Sequence, residues 1–294
     1  MVTIVLAGVL MGAIGLAFAA VLGVAETRFK VDVDPRISAV ESLLPGVNCG
    51  GCGYPSCAMY ATAVATAGAE ASLCVVGGED TARAVARVMG VTIADELVEK
   101  RIAVVFCQGD TEASSFPGDY RGIRDCAAAV YSQDVAKRCK YGCVGLGSCV
   151  AACIFNAIHL GPKGIPIVDA DACNGCGKCV AACPRNLIEL HPVSHRTFVY
   201  CKSQDPSIVT RKICKKGCFA CNLCVKAAEK DGNPTAVALV GNLAVVNAAN
   251  YTAKSEYGAK CPTDCYADDR NVVNRDRALS RREPVEEASG GGGA

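Results

Sequence analysis

The spacing of its cysteines constrains this chain more than any other feature. Cys173-Asn-Gly-Cys176-Gly-Lys-Cys179-Val-Ala-Ala-Cys183-Pro184 has the form C-x2-C-x2-C-x3-C-P. Two-residue spacers let three thiolates close a tight loop around one cube of iron and sulfide. The fourth cysteine begins the next element and reaches a second cube. Zinc also uses C-x2-C pairs, but it takes two such knuckles rather than three cysteines and a distal Cys-Pro. The run therefore predicts iron–sulfur chemistry.

Composition agrees. The 294 residues include 21 cysteines, no tryptophan and only 5% aromatic side chains. Such a chain buries little aromatic core, and its small modules are expected to be held by metal. A secreted disulfide scaffold is also cysteine-rich. Here the cysteines cluster in ligand runs and their number is odd, so a reducing compartment fits better. A net charge of +1 gives no field that would suggest nucleic acid, and none of the three histidines lies at ligand spacing from another.

Residues 1–25 carry no charge and no proline. The apolar run 2–24 is long enough to cross a bilayer as a helix. A cleaved signal peptide is the alternative, helped by Ala17-Phe18-Ala19, but no basic residue precedes the run and it is long for a signal. Arg28 and Lys30 follow it, which predicts a single pass in the plasma membrane with everything after Ala25 in the cytoplasm. Gly8, Gly12, Gly15, Ala19 and Gly23 form a small-residue ridge. That is either a helix-packing face or ordinary membrane glycine.

A second ligand run is Cys49-Gly-Gly-Cys52-Gly-Tyr-Pro-Ser-Cys57 followed by Cys74. Helices are expected from Asp34-Pro35 to Leu44, over 58–71 and over 79–89, making a small closed four-cysteine domain at 26–90. Residues 91–138 read as a connecting segment with one buried strand at 102–106. A two-cluster module covers 139–192, with short strands at 157–160, 165–168 and 187–190.

That module recurs in decayed form over 193–267. Val104-Val-Phe-Cys107 matches Phe198-Val-Tyr-Cys201, Cys139-Lys-Tyr-Gly-Cys143 matches Cys214-Lys-Lys-Gly-Cys218, and Cys183-Pro184 matches Cys261-Pro262. Tyr251, Lys254, Tyr257 and Ala228 stand where Cys173, Cys176, Cys179 and Cys153 stand in the first copy. All four ligands of one cluster have gone together. Residues 268–294 read as a solvated, disordered tail. The expected fold is α+β: one membrane helix, a small helical [4Fe–4S] domain, and tandem βαβ-type modules like bacterial ferredoxin, the second degenerate.

A membrane helix, then C-x2-C-x4-C-x16-C, then a two-cluster module resembles the B subunit of the Rnf complex and the related Rsx complexes. The resemblance is carried by Asn48-Cys-Gly-Gly-Cys-Gly-Tyr-Pro-Ser-Cys57 and Tyr141-Gly-Cys-Val-Gly-Leu-Gly-Ser-Cys149, and the long carboxy-terminal part is similar to the versions found in anaerobes. It implies an iron–sulfur subunit of a membrane complex that oxidises soluble ferredoxin, reduces NAD and moves sodium ions or protons. The partners implied are the other Rnf subunits, ferredoxin and the lipid bilayer. Two departures stand out. Cys153 is followed by Ile154 rather than proline, and the second copy keeps ligands for only one cluster.

By ferredoxin logic the ligand sets are Cys49, Cys52, Cys57 and Cys74; Cys139, Cys143, Cys149 and Cys183; Cys153, Cys173, Cys176 and Cys179; and Cys218, Cys221, Cys224 and Cys261. Four [4Fe–4S] clusters follow. Cys107, Cys126, Cys201, Cys214 and Cys265 remain. They are either buried small hydrophobes or, for Cys107, Cys126, Cys201 and Cys214, a fifth site. No G-x-G-x-x-G loop opens a helix and no flavin-attachment motif is evident, so hydride chemistry is expected in partner subunits. An electron-transfer subunit of another membrane oxidoreductase and a membrane-tethered iron–sulfur sensor are the competing readings. A sensor needs one labile cluster and an output module, and no output module is recognisable. Basic residues flank the ligands: Lys137, Arg138 and Lys140 beside Cys139, and Arg211, Lys212, Lys215 and Lys216 beside Cys214. They are either ordinary solvated charge or a docking face for an acidic ferredoxin.

Overall fold

The computed structural model describes residues 2–28, 34–93, 99–116, 118, 120–132 and 137–276. Expectations for Lys30 and for the tail beyond Asp276 fall outside these residues. Helix α1 (Val2–Arg28) contains an apolar stretch, Leu6–Glu26, with a mean hydropathy of 2.3 and none of it buried. Leu6, Leu10, Phe18 and Leu22 all face outward. At 1.5 Å per residue the helix has the length that a bilayer core demands.

Three helices make the next unit. In α2 (Pro35–Leu43), Asp34 caps the start by accepting the Arg36 N–H at 2.9 Å, and Pro35 takes the first turn, where no N–H is needed. In α3 (Cys57–Ala67), Ser56 accepts the Met59 N–H at 3.2 Å. The helix stops at Gly68, which adopts φ 67°, so it ends short of the 58–71 span expected from its alanines. Helix α4 (Gly78–Met89) turns Ala82, Val85 and Ala86 inward. Val40, Tyr60, Ala61, Val64 and Val85 form the core, where one large ring, Tyr60, packs among small side chains.

The first copy of the larger unit contains β1 (Arg101–Val105), α5 (Cys126–Tyr131), α6 (Ser148–Ala151), β2 (Ile158–Leu160), β3 (Pro166–Asp169), α7 (Lys178–Ala181) and β4 (Ile188–Pro192). The second contains β5 (Thr197–Val199), α8 (Ser207–Ile213), α9 (Leu223–Lys230), β6 (Val237–Val240), β7 (Leu243–Val246) and β8 (Tyr266–Asp268), with β9 (Val272–Val273) after it. Pairing repeats between them. β1 pairs antiparallel with β4 and β5 with β8, while β2–β3 and β6–β7 are hairpins. The ladders within each copy are thus antiparallel, not the parallel pairs of a βαβ crossover. The Phe106 N–H bonds the Leu187 carbonyl at 2.7 Å, and at the matching place the Tyr200 N–H bonds the Cys265 carbonyl at 2.8 Å.

The copies share a core. Phe106, Phe198 and Tyr200 pack against one another, and the Phe106 and Tyr200 rings, at equivalent positions, stack at 6.1 Å. The segment after residue 268 departs from the expected disorder. Val272–Val273 forms a parallel ladder with β3, and the Asn271 side chain donates to the Val105 and Cys107 carbonyls. Arg275 is buried, with Asp269 beside it at 2.8 Å. These polar contacts tie down a stretch whose composition reads as solvent-facing.

Candidate metal centres

Cys49, Cys52, Cys57 and Cys74 line one hollow of about 330 Å³ under Tyr54 and Tyr60. The loop is drawn in by Asn48, whose side-chain oxygen accepts the Cys57 N–H at 2.8 Å. Cys57 opens α3, so its sulfur sits at the positive end of a helix. The N–H of Gly51 lies 3.5 Å from the Cys49 sulfur. Burial raises the Cys74 thiol, with the neighbouring cysteines adding to the effect.

Three loops of the larger unit share one backbone form. In 143–149, 173–179 and 218–224 the third and fifth positions take positive φ: Gly145 and Gly147, Gly175 and Gly177, Ala220 and Asn222. This curl turns the cysteines of each loop toward a common centre. Cys173, Cys176, Cys179 and Cys153 lie within electrostatic reach of one another. Cys183 instead lines a hollow of about 410 Å³ with Cys143 and Cys149. The distal cysteines therefore cross over, as the C-P spacing implies. Backbone N–H groups reach these sulfurs: Ala157 to Cys153 at 3.3 Å, Leu187 to Cys183 at 3.3 Å and Ala103 to Cys173 at 3.4 Å.

Cys139 does not join Cys143, Cys149 and Cys183. The fourth thiol of that hollow is Cys126. The reason is visible in the loop. Leu146 occupies the place that Cys176 and Cys221 hold in the two sister loops. The stretch between Cys107 and Cys139 is longer than its counterpart between Cys201 and Cys214, and it carries Cys126. The Cys126 N–H donates to the Ser148 hydroxyl at 2.7 Å, and that hydroxyl donates to Asp125 at 2.8 Å. Both bonds anchor Cys126 over the 143–149 loop.

In the second copy, Cys218, Cys221, Cys224 and Cys261 line a hollow of about 370 Å³. Where the other cluster of that copy would sit, side chains fill the space. Ala228 and Tyr257 are buried, the Tyr257 hydroxyl donates to Asp231 at 2.7 Å, and Tyr251 stacks on His195 at 4.0 Å. Cys265 is buried where the first copy has Leu187.

Among the described residues, no three His, Cys, Asp or Glu side chains converge closely enough to hold a single metal ion. The thiols surround wider spaces, which suits a cubane whose sulfurs are spread over four irons. Burial pushes Cys143 and Cys179 up to about 12, and Cys149 and Cys224 up to about 11. Thiols so buried become thiolates only against a cationic partner such as bound iron. The donor sets are all sulfur, and backbone N–H groups are aimed at them. They fit [4Fe–4S] clusters.

Residues 44–76 match the family model "Putative Fe-S cluster", and residues 165–188 match "4Fe-4S binding domain". The chain is 39% identical over 249 residues to the B subunit of an ion-translocating oxidoreductase complex from Methanosarcina acetivorans, covering 85% of this chain and 92% of the relative. It is 40% identical over 264 residues to the B subunit of the proton-translocating ferredoxin:NAD(+) oxidoreductase complex of Clostridium ljungdahlii, covering 89% and 91%. To the B subunit of the Na(+)-translocating ferredoxin:NAD(+) oxidoreductase complex of Acetobacterium woodii it is 37% identical over 260 residues, covering 88% and 76%. Similarity of this extent over most of the chain makes it a member of the Rnf/Rsx family, the B subunits of ion-translocating oxidoreductase complexes.

Proposed function

We propose that the chain is the iron–sulfur electron-transfer subunit of an Rnf-type complex, passing electrons from reduced ferredoxin toward membrane and flavin subunits that reduce NAD. A single-pass α1 anchors it, with Arg28 and the rest of the chain on the cytoplasmic side by the positive-inside rule. The sets Cys49, Cys52, Cys57 and Cys74; Cys126, Cys143, Cys149 and Cys183; Cys153, Cys173, Cys176 and Cys179; and Cys218, Cys221, Cys224 and Cys261 would each hold one cubane. A cubane accepts and releases one electron at a time and does no bond chemistry. The residues around it fix its position, exclude water and set its potential through N–H donors to sulfur.

The observation that carries the reading is that successive thiol sets adjoin. A Cβ on Gly51 would stand 3.1 Å from the Cys176 Cα, so the helical unit rests directly on the 173–179 loop. Cys149 and Cys179, from two different sets, lie within electrostatic reach of each other. Adjacent sets suit a wire, and a labile sensor needs no such row.

The test is anaerobic purification with the complex. About four iron and four sulfide per set, and co-purification with flavin-bearing subunits that together reduce NAD from reduced ferredoxin, are expected. A well-loaded chain holding zinc alone, or one that ferredoxin cannot reduce, would sink the reading.

A further inference from the structure

The four sets leave Cys107, Cys139, Cys201, Cys214 and Cys265 unassigned, and the first four of these line a single hollow of about 390 Å³. We propose that these four hold a fifth iron–sulfur cubane, at the junction of the two copies.

The first support is symmetry. The first copy supplies Cys107, just after β1, and Cys139, four residues before Cys143. The second supplies Cys201, just after β5, and Cys214, four residues before Cys218. Two equivalent pairs therefore meet face to face. The copies are locked together there: Ser114 bridges to Cys214, the Ser115 N–H donates to the Ile213 carbonyl at 2.9 Å, and the Lys215 N–H donates to the Ala113 carbonyl at 2.8 Å.

The second support is the hydrogen bonding of the sulfurs. The Cys143 N–H lies 3.3 Å from the Cys107 sulfur, and the Ser203 N–H lies 3.4 Å from that of Cys201. Backbone N–H groups of Tyr141 and Lys216, at matching positions, are directed at Cys139 and Cys214. All four sulfurs thus have N–H donors. A cluster of buried neutral thiols has no need of four donors, since a thiol is a weak acceptor. Ligating thiolates gain from each.

The third is a buried cation. Lys137 is 1% exposed. Its ammonium donates to the carbonyls of Gly109 and, at 2.9 Å, Cys143, and no carboxylate pairs with it among the described residues. A Cβ on Gly109 would stand 3.2 Å from the Cys214 sulfur and 3.4 Å from the Lys137 Nζ, so the ammonium and the thiol share this corner. Burying a lysine without a counter-charge is costly. A cubane with four thiolate ligands carries net negative charge and supplies the missing partner.

Position gives the centre a role. The Cys143 N–H joins the Cys107 sulfur to the neighbouring set on one side, and Cys201 lies within electrostatic reach of Cys218 on the other. The centre would thus stand between the thiol set of the first copy and that of the second. The proposal concerns metal content and does not depend on the identity of the electron donor.

The test uses the full chain, purified anaerobically. Five cubanes give about 20 iron and 20 sulfide per chain, and four give about 16. Replacing Cys107 and Cys201 together by serine, or Cys139 and Cys214 together, should remove about four iron and one paramagnetic centre, with the other signals retained. Cys265→Ala, beside Cys201 but outside the set, should keep every iron. Lys137→Met should shift the potential of this centre downward more than that of any other, while Lys137→Arg should leave it close to the parent. A wild-type content near 16 with this signal absent, one zinc in its place, or unchanged iron in the double variants would overturn the proposal. Should the double variants lose every cluster, the wild-type iron count decides.

Discussion

The backbone N–H of Cys143 points at the sulfur of Cys107, 3.3 Å away, while the Cys143 side chain faces a different hollow. One residue thus touches two sets of thiols. Its main chain serves the junction and its sulfur serves the first copy. Because the peptide unit is rigid, anything that shifts Cys143 perturbs both sites at once.

Cys126 and Cys139 make opposite predictions. Cys126→Ala should cost the cluster of Cys143, Cys149 and Cys183, about four iron, and Cys183→Ala should cost the same one. Cys139→Ala should leave that cluster intact. Adding Leu146→Cys to Cys126→Ala should restore it, because Leu146 sits where the sister loops carry Cys176 and Cys221. EPR of dithionite-reduced protein with iron analysis reads this out. Loss of the same signal in the Cys126→Ala and Cys139→Ala variants would show the two thiols to be interchangeable and the assignment to be wrong.

That exchange marks where sequence stops being legible. The placement of Cys183 beside Cys143 and Cys149 was readable because the C-x2-C-x2-C-x3-C-P spacing encodes it locally. The place of Cys126 was not, because it opens the short helix α5 after a long connecting stretch and only the fold returns it to the 143–149 loop. A signal did exist: aligning the three loops exposes Leu146 as the missing ligand. Lys137 misled for a similar reason. A lysine beside other basic residues reads as surface, but a single hollow lined by four cysteines buries it. The helices of the small unit were legible through Asp34-Pro35 and the alanine-rich run, with Gly68 as the stop that composition alone blurred. The β9 pairing was hidden because a two-residue strand has no periodicity to read.

Gly51 controls contact between the small helical unit and the larger one. Its absent Cβ would meet Val75 Cγ2 at 2.9 Å and the Cys176 Cα at 3.1 Å, and the latter is backbone that cannot rotate away. Gly51→Val should therefore push the units apart and cost about 1–3 kcal/mol through overpacking. All iron should stay bound. Electron exchange between the Cys49 set and the Cys173 set should slow, because tunnelling weakens steeply with separation. Thermal unfolding and freeze-quenched EPR after a reducing pulse would measure the two effects. Unchanged rates alongside an unchanged melting temperature would show that the contact is unimportant.

Removing α1 separates anchoring from cluster binding. Its outward-facing apolar surface makes no contact with the core of either unit among the described residues. A chain lacking residues 2–28 should be soluble and brown, with its full iron content. Persistent sedimentation with membranes after high salt and carbonate would mean that another surface also binds lipid or a membrane partner.

The last prediction concerns the approach of an acidic electron donor. Arg138, Lys140, Lys212 and Lys215 are exposed and lie within two residues of Cys139 or Cys214, whereas Lys137 is buried and is excluded from any docking face. Lys140 keeps Asp205 at 3.3 Å and Lys216 keeps Asp264 at 3.2 Å, so part of the positive field is already neutralised. The remaining charge flanks, in sequence, the Cys139 and Cys214 thiols of the junction, where a donor could bring its own cluster close. Exposed charges act chiefly on encounter. Changing Arg138, Lys140, Lys212 and Lys215 together to glutamate should slow association with reduced ferredoxin by about tenfold or more at low salt. The salt dependence should flatten or reverse, with iron content unchanged. Stopped-flow oxidation of ferredoxin at several ionic strengths would record both. An unchanged rate and slope in the altered protein would place the docking site elsewhere on the chain.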